Sequence, residues 1–296
     1  MKDFEILNRA SGFLVRSLGG GGVAGVSNGF APHPAPKVHL LTASHVVAPW
    51  RWPKYYPEEW LQHVNEKHTA YTAEKRHDDG VFATQCDLKP ISYHHDTRDL
   101  AVLHFENEDE VLELLDSVGV DVLELAPSQS PRLKEGEKLE FHGHHIGGND
   151  IASASEDDDL RKSIPKVSSG VVKGRTERQI FAQTSPVLTQ GMCGGPVIGA
   201  GGGECFGLVE GIVPPDHAID TLQSLAVFVE SPEIREFLEA IEAGRVQPYI
   251  GGHSIKAVNA DQNPEKLDLH RIINADSGGP KSNAEEPKSN FTRKQP

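Results

Sequence analysis

Gln190-Gly191-Met192-Cys193-Gly194-Gly195-Pro196 is the stretch on which the reading of this chain turns. Glycines on both sides of a single thiol permit a sharp backbone turn, because Gly reaches conformations closed to other residues. Such a turn can aim two backbone N–H groups, those of Gly191 and Cys193, at one point beside the sulfur. A thiol of ordinary pKa, about 8.5, is only a few per cent thiolate at neutral pH and needs a neighbouring base or cation to act. Taken alone, the stretch reads equally well as a glycine-rich turn around a buried, inert cysteine.

Two upstream segments change that balance. Leu41-Thr42-Ala43-Ser44-His45-Val46-Val47 carries a histidine beside a β-like apolar run, and Arg98-Asp99-Leu100-Ala101-Val102-Leu103 carries an aspartate at the head of another. Singly, His45 reads as a core histidine bonded to backbone and Asp99 as a strand-end cap. Together, in the order His, Asp, nucleophile, they have the chain order of a chymotrypsin-like triad, distinct from the subtilisin and α/β-hydrolase orders. In that arrangement His45 pairs with the thiol and later protonates the leaving amine, while Asp99 fixes its tautomer and orientation. The amides of Gly191 and Cys193 form the oxyanion hole, where loss of one donor costs on the order of 10²- to 10³-fold in rate.

Beyond these three motifs the chain resembles the trypsin-like peptidase superfamily over residues 11 to 240, and in spacing the protease domain of the HtrA/DegP group. Ala10-Ser11-Gly12-Phe13-Leu14-Val15 is similar to that group's opening strand, and Asp96 to Leu103 to its aspartate segment, which favours Asp99 over Asp96. Gly207-Leu208-Val209-Glu210-Gly211-Ile212 resembles the strand lining the substrate cleft, and Glu233 to Glu242 the C-terminal helix. The group's nucleophile is serine. The cysteine here resembles instead the viral 3C-like proteases, which share the fold and a Gly-x-Cys-Gly-Gly loop. No PDZ-like module is expected after residue 245.

The resemblance implies an all-β fold of two six-stranded antiparallel β-barrels with helical insertions and a C-terminal helix. Residues 1–126 would hold the first barrel with His45 and Asp99, and residues 127–245 the second barrel with Cys193. Residues 246–296 are expected to form a largely disordered tail, since the last twenty contain only Ala284 and Phe291 as apolar side chains besides proline. Lys266 to Ile273 has the leucines and isoleucines to dock on the barrels or on a partner. Short β-like runs separated by Gly, Pro and charged turns agree with this class, and Gly19–Gly22 and Ala31–Pro36 read as hairpin loops. The resemblance also places substrate contacts at Val187, Leu188 and Thr189, ahead of the nucleophile, and at Val209, Glu210 and Gly211. With no acid among Ser185 to Thr189, the expected cleaved residue is small or apolar rather than Lys or Arg.

Charge and composition narrow the partners. A net charge of −14, from 29 basic and 43 acidic residues, disfavours nucleic acid and anionic membranes, both of which need a cationic surface. No apolar run approaches the roughly 18 residues that span a bilayer. Three cysteines argue against a disulfide framework and for a reducing compartment. The start, Met1-Lys2-Asp3-Phe4-Glu5, lacks a secretory charge pattern. These features lead to an intracellular, cytoplasmic expectation, with mitochondrion and plastid left open.

Eight acids and no Lys or Arg lie between Glu106 and Glu124, and Glu156 to Asp159 form a second block. Val111, Leu114, Leu115 and Val118 recur at helical spacing, so the first block is expected to be an acidic amphipathic helix. It reads as a solvated face or as a dock for a basic partner. The insertion from Pro49 to Gly80 holds all three tryptophans, with Trp50, Trp52, Tyr55, Tyr56 and Trp60 close in sequence. It is read as a small satellite core or a recognition surface at the cleft rim, with a helix start at Pro57. The fifteen histidines invite a metal reading, but His142-Gly143-His144-His145 matches no closed tetrahedral site and Cys86 and Cys205 lack CxxC partners. No metal or cofactor is expected. Two functions remain: an endopeptidase acting on polypeptides through Cys193, His45 and Asp99, or a non-catalytic homologue that uses the same frame as a binding or assembly scaffold.

Overall fold

The computed structural model describes residues 7–18, 38–129, 132–146, 163–177, 179–189 and 191–251. The loops at Gly19–Gly22 and Ala31–Pro36, the acidic block Glu156–Asp159, Gln190 and the segment Lys266–Ile273 with its tail lie outside these residues.

Six strands carry the first half: β1 (Gly12–Arg16), β2 (Val38–Thr42), β3 (Thr72–Arg76), β4 (Phe82–His94), β5 (Ala101–Phe105) and β6 (Val122–Leu125). Backbone pairing runs β6-β1-β2-β5-β4-β3. Ala73 of β3 and Val122 of β6, at the two ends of that path, pack on one core with Leu14, Val38, Leu88, Leu103 and Phe105. β1 buries Phe13 to Val15 on both faces and exposes only its end residues, and β5 is buried throughout, as a central strand covered on both faces must be.

The second half closes into a six-stranded barrel. Strands β7 (Lys138–Ile146), β8 (Ser163–Arg175), β9 (Ile180–Ser185), β10 (Pro196–Gly199), β11 (Glu204–Ile212) and β12 (Ala226–Glu230) pair in the order β10-β7-β8-β9-β12-β11, and β11 returns to β10. Phe141 and Phe228 meet edge-to-face at 5.8 Å inside it, among Leu139, Val197, Val209 and Ile180. β6 is the crossing element, parallel to β1 through Leu14↔Val122 and parallel to β11 through Cys205↔Leu125.

Three helices complete the frame. A single turn, α1 (Ser44–Val47), follows β2. The acidic segment forms α2 (Glu108–Ser117), with three acids in its first turn, where the helix dipole favours them. Its Leu115 is buried, Val111 packs on the first core, and Leu114 remains exposed. The last helix, α3 (Ser231–Glu242), buries Ile234, Phe237, Leu238 and Ile241 at the i, i+3, i+4, i+7 spacing of one face. That face joins Phe13, Leu41 and Val102 of the first half to Cys205, Leu208 and Val229 of the second in one shared core. A short strand, β13 (Tyr249–Ile250), then adds to β4 opposite Ser92 and Ile91. No helix among the described residues is long and apolar enough to cross a membrane.

Candidate active site

Antiparallel pairing of β2 with β5 sets Thr42 against Ala101, which brings the chain just after β2 beside the chain just before β5. His45 leaves β2 on the α1 turn, and Asp99 enters β5. The carboxylate of Asp99 makes two bonds at once: Oδ1 accepts the His45 backbone N–H at 2.8 Å, and Oδ2 lies 2.5 Å from the imidazole Nδ1. Both side chains are largely buried, 14% and 10% exposed. Asp99 is therefore a cap on the α1 turn and the imidazole's partner together, and one bond fixes the backbone from which the other is aimed.

Burial works against a charge on His45, but the bond to Asp99 and the nearness of Cys193 outweigh it and raise the imidazole to about 10. The sulfur of Cys193, partly exposed, does not close a hydrogen bond of full geometry to the ring, a looseness common in such sites before substrate tightens them. The other two thiols are enclosed. Burial pushes Cys205 up to about 12, and Cys86 is raised by burial and by Asp87.

The loop around Cys193 is fastened to β11 by Gly194 N–H to Val209 C=O, 2.8 Å, and Val209 N–H to Gly195 C=O, 3.0 Å. Gly191 and Gly194 have φ of 95° and 82°, in the left-handed region that glycine enters without strain. Among the described residues, no protein acceptor takes the amide N–H of Gly191 or of Cys193, so both remain open to an oxyanion.

The other expected contact positions divide. The side chains of Leu188 and Val209 are buried in the second barrel, and both backbone groups of Val209 are spent on the loop around Cys193. Val187 is half exposed, and Thr189 Oγ1 bonds His145 Nδ1 at 2.9 Å. Glu210 turns its carboxylate inward to a two-pronged pair with Arg98, 3.0 and 2.9 Å, and accepts the Asp99 amide at 3.2 Å. Burial raises the Glu210 carboxyl, and Arg98 only partly offsets it. Arg98 also reaches Glu233 of α3 at 3.6 Å. Glu210 therefore acts on Asp99 from below. Glu210, Arg98, Thr97, Thr176, Glu177 and Gln179 line an open depression of about 470 Å³, into which β11 runs on toward Gly211.

The Trp-rich insertion comes to His45. Trp52, Tyr55 and Tyr56 lie with ring centroids 6.2, 5.8 and 6.2 Å from the imidazole, and the Tyr56 hydroxyl is held by Asn8. Trp60 stays exposed on a 3₁₀ turn, Glu59–His63. The insertion is thus both a packed unit and the wall of the site. Among the described residues no group of three or more His, Cys, Asp or Glu is arranged to hold a metal ion.

A family model, "Trypsin-like peptidase domain", matches residues 10–208, two thirds of the chain and all three of His45, Asp99 and Cys193. The chain belongs to that family. Among solved structures it is similar to neuropsin, a serine protease expressed in the limbic system of mouse brain, at 14% identity and a TM-score of 0.42, over 69% of this chain and 84% of that one. No curated protein sequence matches. Within the trypsin-like peptidase domain, Arg98 and Ser11 were given no role from sequence, while the three rings around His45 belong to the aromatic cluster expected at the cleft rim. For the rings the signal existed, aromatic residues clustered soon after His45. For Arg98 it was only adjacency to Asp99.

Proposed function

We propose that this trypsin-like peptidase domain hydrolyses peptide bonds with Cys193 as nucleophile, His45 as proton carrier and Asp99 as orienter. One observation carries the reading: His45 is bonded to Asp99 through Nδ1 and stands beside a partly exposed thiol, Cys193, with its imidazole raised. A serine mechanism needs a neutral imidazole to take the hydroxyl proton. A cysteine mechanism starts from thiolate and imidazolium, and a raised His45 suits that pair.

Thiolate attack on the scissile carbonyl places its oxygen at the amides of Gly191 and Cys193. The imidazolium then gives its proton to the leaving amine, which departs and leaves a thioester. Water, losing a proton to the now neutral His45, cleaves the thioester and restores the pair. A small or apolar cleaved residue fits the absence of an acid among Ser185 to Thr189.

The test is site-resolved alkylation by iodoacetamide across pH. Cys193 should react faster than Cys86 and Cys205 and keep reacting at pH 6, where an ordinary thiol is almost wholly protonated. His45→Ala should remove that advantage. A Cys193 that reacts no faster than an ordinary thiol in the wild type would overturn the reading, and the frame would then be a binding scaffold.

A further inference from the structure

Ser11 precedes β1, is 2% exposed, and lies 180 residues from the loop it meets. Each of its hydrogen-bonding groups is used. Its N–H donates to the Cys193 C=O at 3.1 Å. Its hydroxyl donates to the Gly191 C=O at 2.7 Å and accepts the His144 N–H, also at 2.7 Å. Its C=O accepts the Thr42 hydroxyl at 2.7 Å. One residue therefore ties the nucleophile loop to β7 and to the strand that leads to His45. The packing leaves no slack: a Cβ at Gly143 would stand 2.8 Å from the Ser11 hydroxyl and 3.1 Å from Met192 Cα.

The two carbonyls that Ser11 holds flank the two amides that matter. The Gly191 C=O shares a peptide plane with the Met192 N–H, which in turn donates to the Thr189 C=O at 3.2 Å. That plane is thus clamped at both ends. Since a peptide is rigid, clamping it restricts rotation at Gly191 and so limits the directions open to the Gly191 N–H in the preceding peptide. Gly191 itself is the loop's most permissive residue, so without a clamp this plane can rotate at little cost. We infer that Ser11 is a positioning residue for the oxyanion hole: its hydroxyl holds the Gly191–Met192 peptide so that the amides of Gly191 and Cys193 converge. The inference rests on the peptidase reading above, and it assigns to Ser11 a role that does not involve activating the thiol.

The two reagents that separate these roles are iodoacetamide, which needs only the thiolate, and the aldehyde N-acetyl-Ala-Ala-leucinal, whose hemithioacetal places an oxygen in the oxyanion hole. Ser11→Ala removes the clamp and leaves the Gly191 C=O and His144 N–H without their partner. Thr42→Val removes another buried bond of Ser11 that does not reach Gly191 and serves as the stability control. We expect Ser11→Ala to keep the alkylation rate of Cys193 and its pH profile within about twofold, and to weaken aldehyde binding by about 10- to 100-fold, below the full loss of a donor. Peptide turnover should fall by a similar factor in kcat with KM little changed. Thr42→Val should lower the melting temperature comparably yet hold the aldehyde.

Retention of aldehyde affinity in folded Ser11→Ala would overturn the inference. So would equal loss in both variants, or loss of alkylation and aldehyde binding together, since each marks a general structural role. A wild-type protein whose Cys193 shows no His45-dependent alkylation would instead remove the peptidase reading, a result that does not depend on Ser11.

Discussion

At the scale of single residues, the charge state of His45 governs the chemistry. Its ring is desolvated, which opposes a proton, while the bond to Asp99 and the nearness of Cys193 favour one. Cys193→Ser keeps the shape of the site and removes the acidic partner. The hydroxyl can attack only with a neutral imidazole to take its proton, and the Asp99 bond, by raising His45, opposes that. Peptide hydrolysis by Cys193→Ser should therefore fall by at least about 100-fold at pH 7 and climb as pH rises, while the wild type shows no such climb. A serine variant with near wild-type kcat at neutral pH would mean that His45 is neutral there. Beneath Asp99, Arg98 and Glu210 are both almost fully enclosed. Arg98→Met leaves a buried carboxylate without its main partner and should cost about 3–5 kcal/mol in urea unfolding. Adding Glu210→Gln should recover a large part of that. If the single and double variants lose equal stability, the pair is not the source.

At the scale of elements, the motifs visible in sequence were those in which chemistry and secondary structure share a few consecutive residues. His45 follows an apolar strand, Asp99 precedes one, and Cys193 sits among glycines, so each could be read locally. α2 was legible because its apolar face recurs every three to four residues, whereas α3 was expected from the resemblance. What escaped was set by pairing across long separations. Ser11 meets Gly191 over 180 residues, and Arg98 meets Glu210 over 112. β13 shows only as Tyr249-Ile250, too short for any periodicity, and is defined by its ladder to β4. Leu188 and Val209 were expected as substrate contacts from the resemblance, and both side chains pack in the core of the second barrel. The docking of α3 also has a polar part that sequence does not disclose. Glu242 accepts His39 Nε2 at 2.9 Å, Ser17 Oγ at 2.8 Å and the Leu18 amide at 3.0 Å, and His39 Nδ1 lies 2.9 Å from His104 Nε2. Burial alone would raise the Glu242 carboxyl, and these bonds bring it below its ordinary value. Glu242→Ala leaves the Nε2 of a fully enclosed imidazole without its partner and should cost about 2–4 kcal/mol. Calorimetry of this variant against Glu239→Ala, on the same helix, measures the difference, and equal melting temperatures for the two would rule the network out as an anchor.

At the scale of the whole molecule, the histidines tie stability to pH. Burial lowers His94 and His104 to about 3, with Arg51 adding to the first and His39 to the second. It also lowers His39, His95 and His144. These rings are neutral in the folded protein at pH values where the unfolded chain, with ordinary imidazoles near 6.5, takes up protons. The unfolded state then binds more protons, so folding weakens as pH falls below 6.5, by up to about 1.4 kcal/mol per pH unit for each such group. His45 runs the other way: its stabilisation is fully present below 6.5 and is lost as pH rises toward 10, so it adds no slope on the acid side. The folded state should therefore be most stable near neutrality and lose several kcal/mol between pH 6.5 and 5, well above the range where surface carboxylates titrate. His94 offers the cleanest handle, because its two ring nitrogens meet only the hydroxyls of Ser44 and Ser92, at 2.7 and 3.0 Å, and a glutamine amide can meet both. His94→Gln should be somewhat less stable than wild type at pH 7.5 and should lose stability less steeply on acidification, with the two urea curves converging by pH 5. Parallel curves from pH 7.5 to 5 would show that His94 is not held neutral by its burial, and the acid sensitivity would have to arise from the remaining rings.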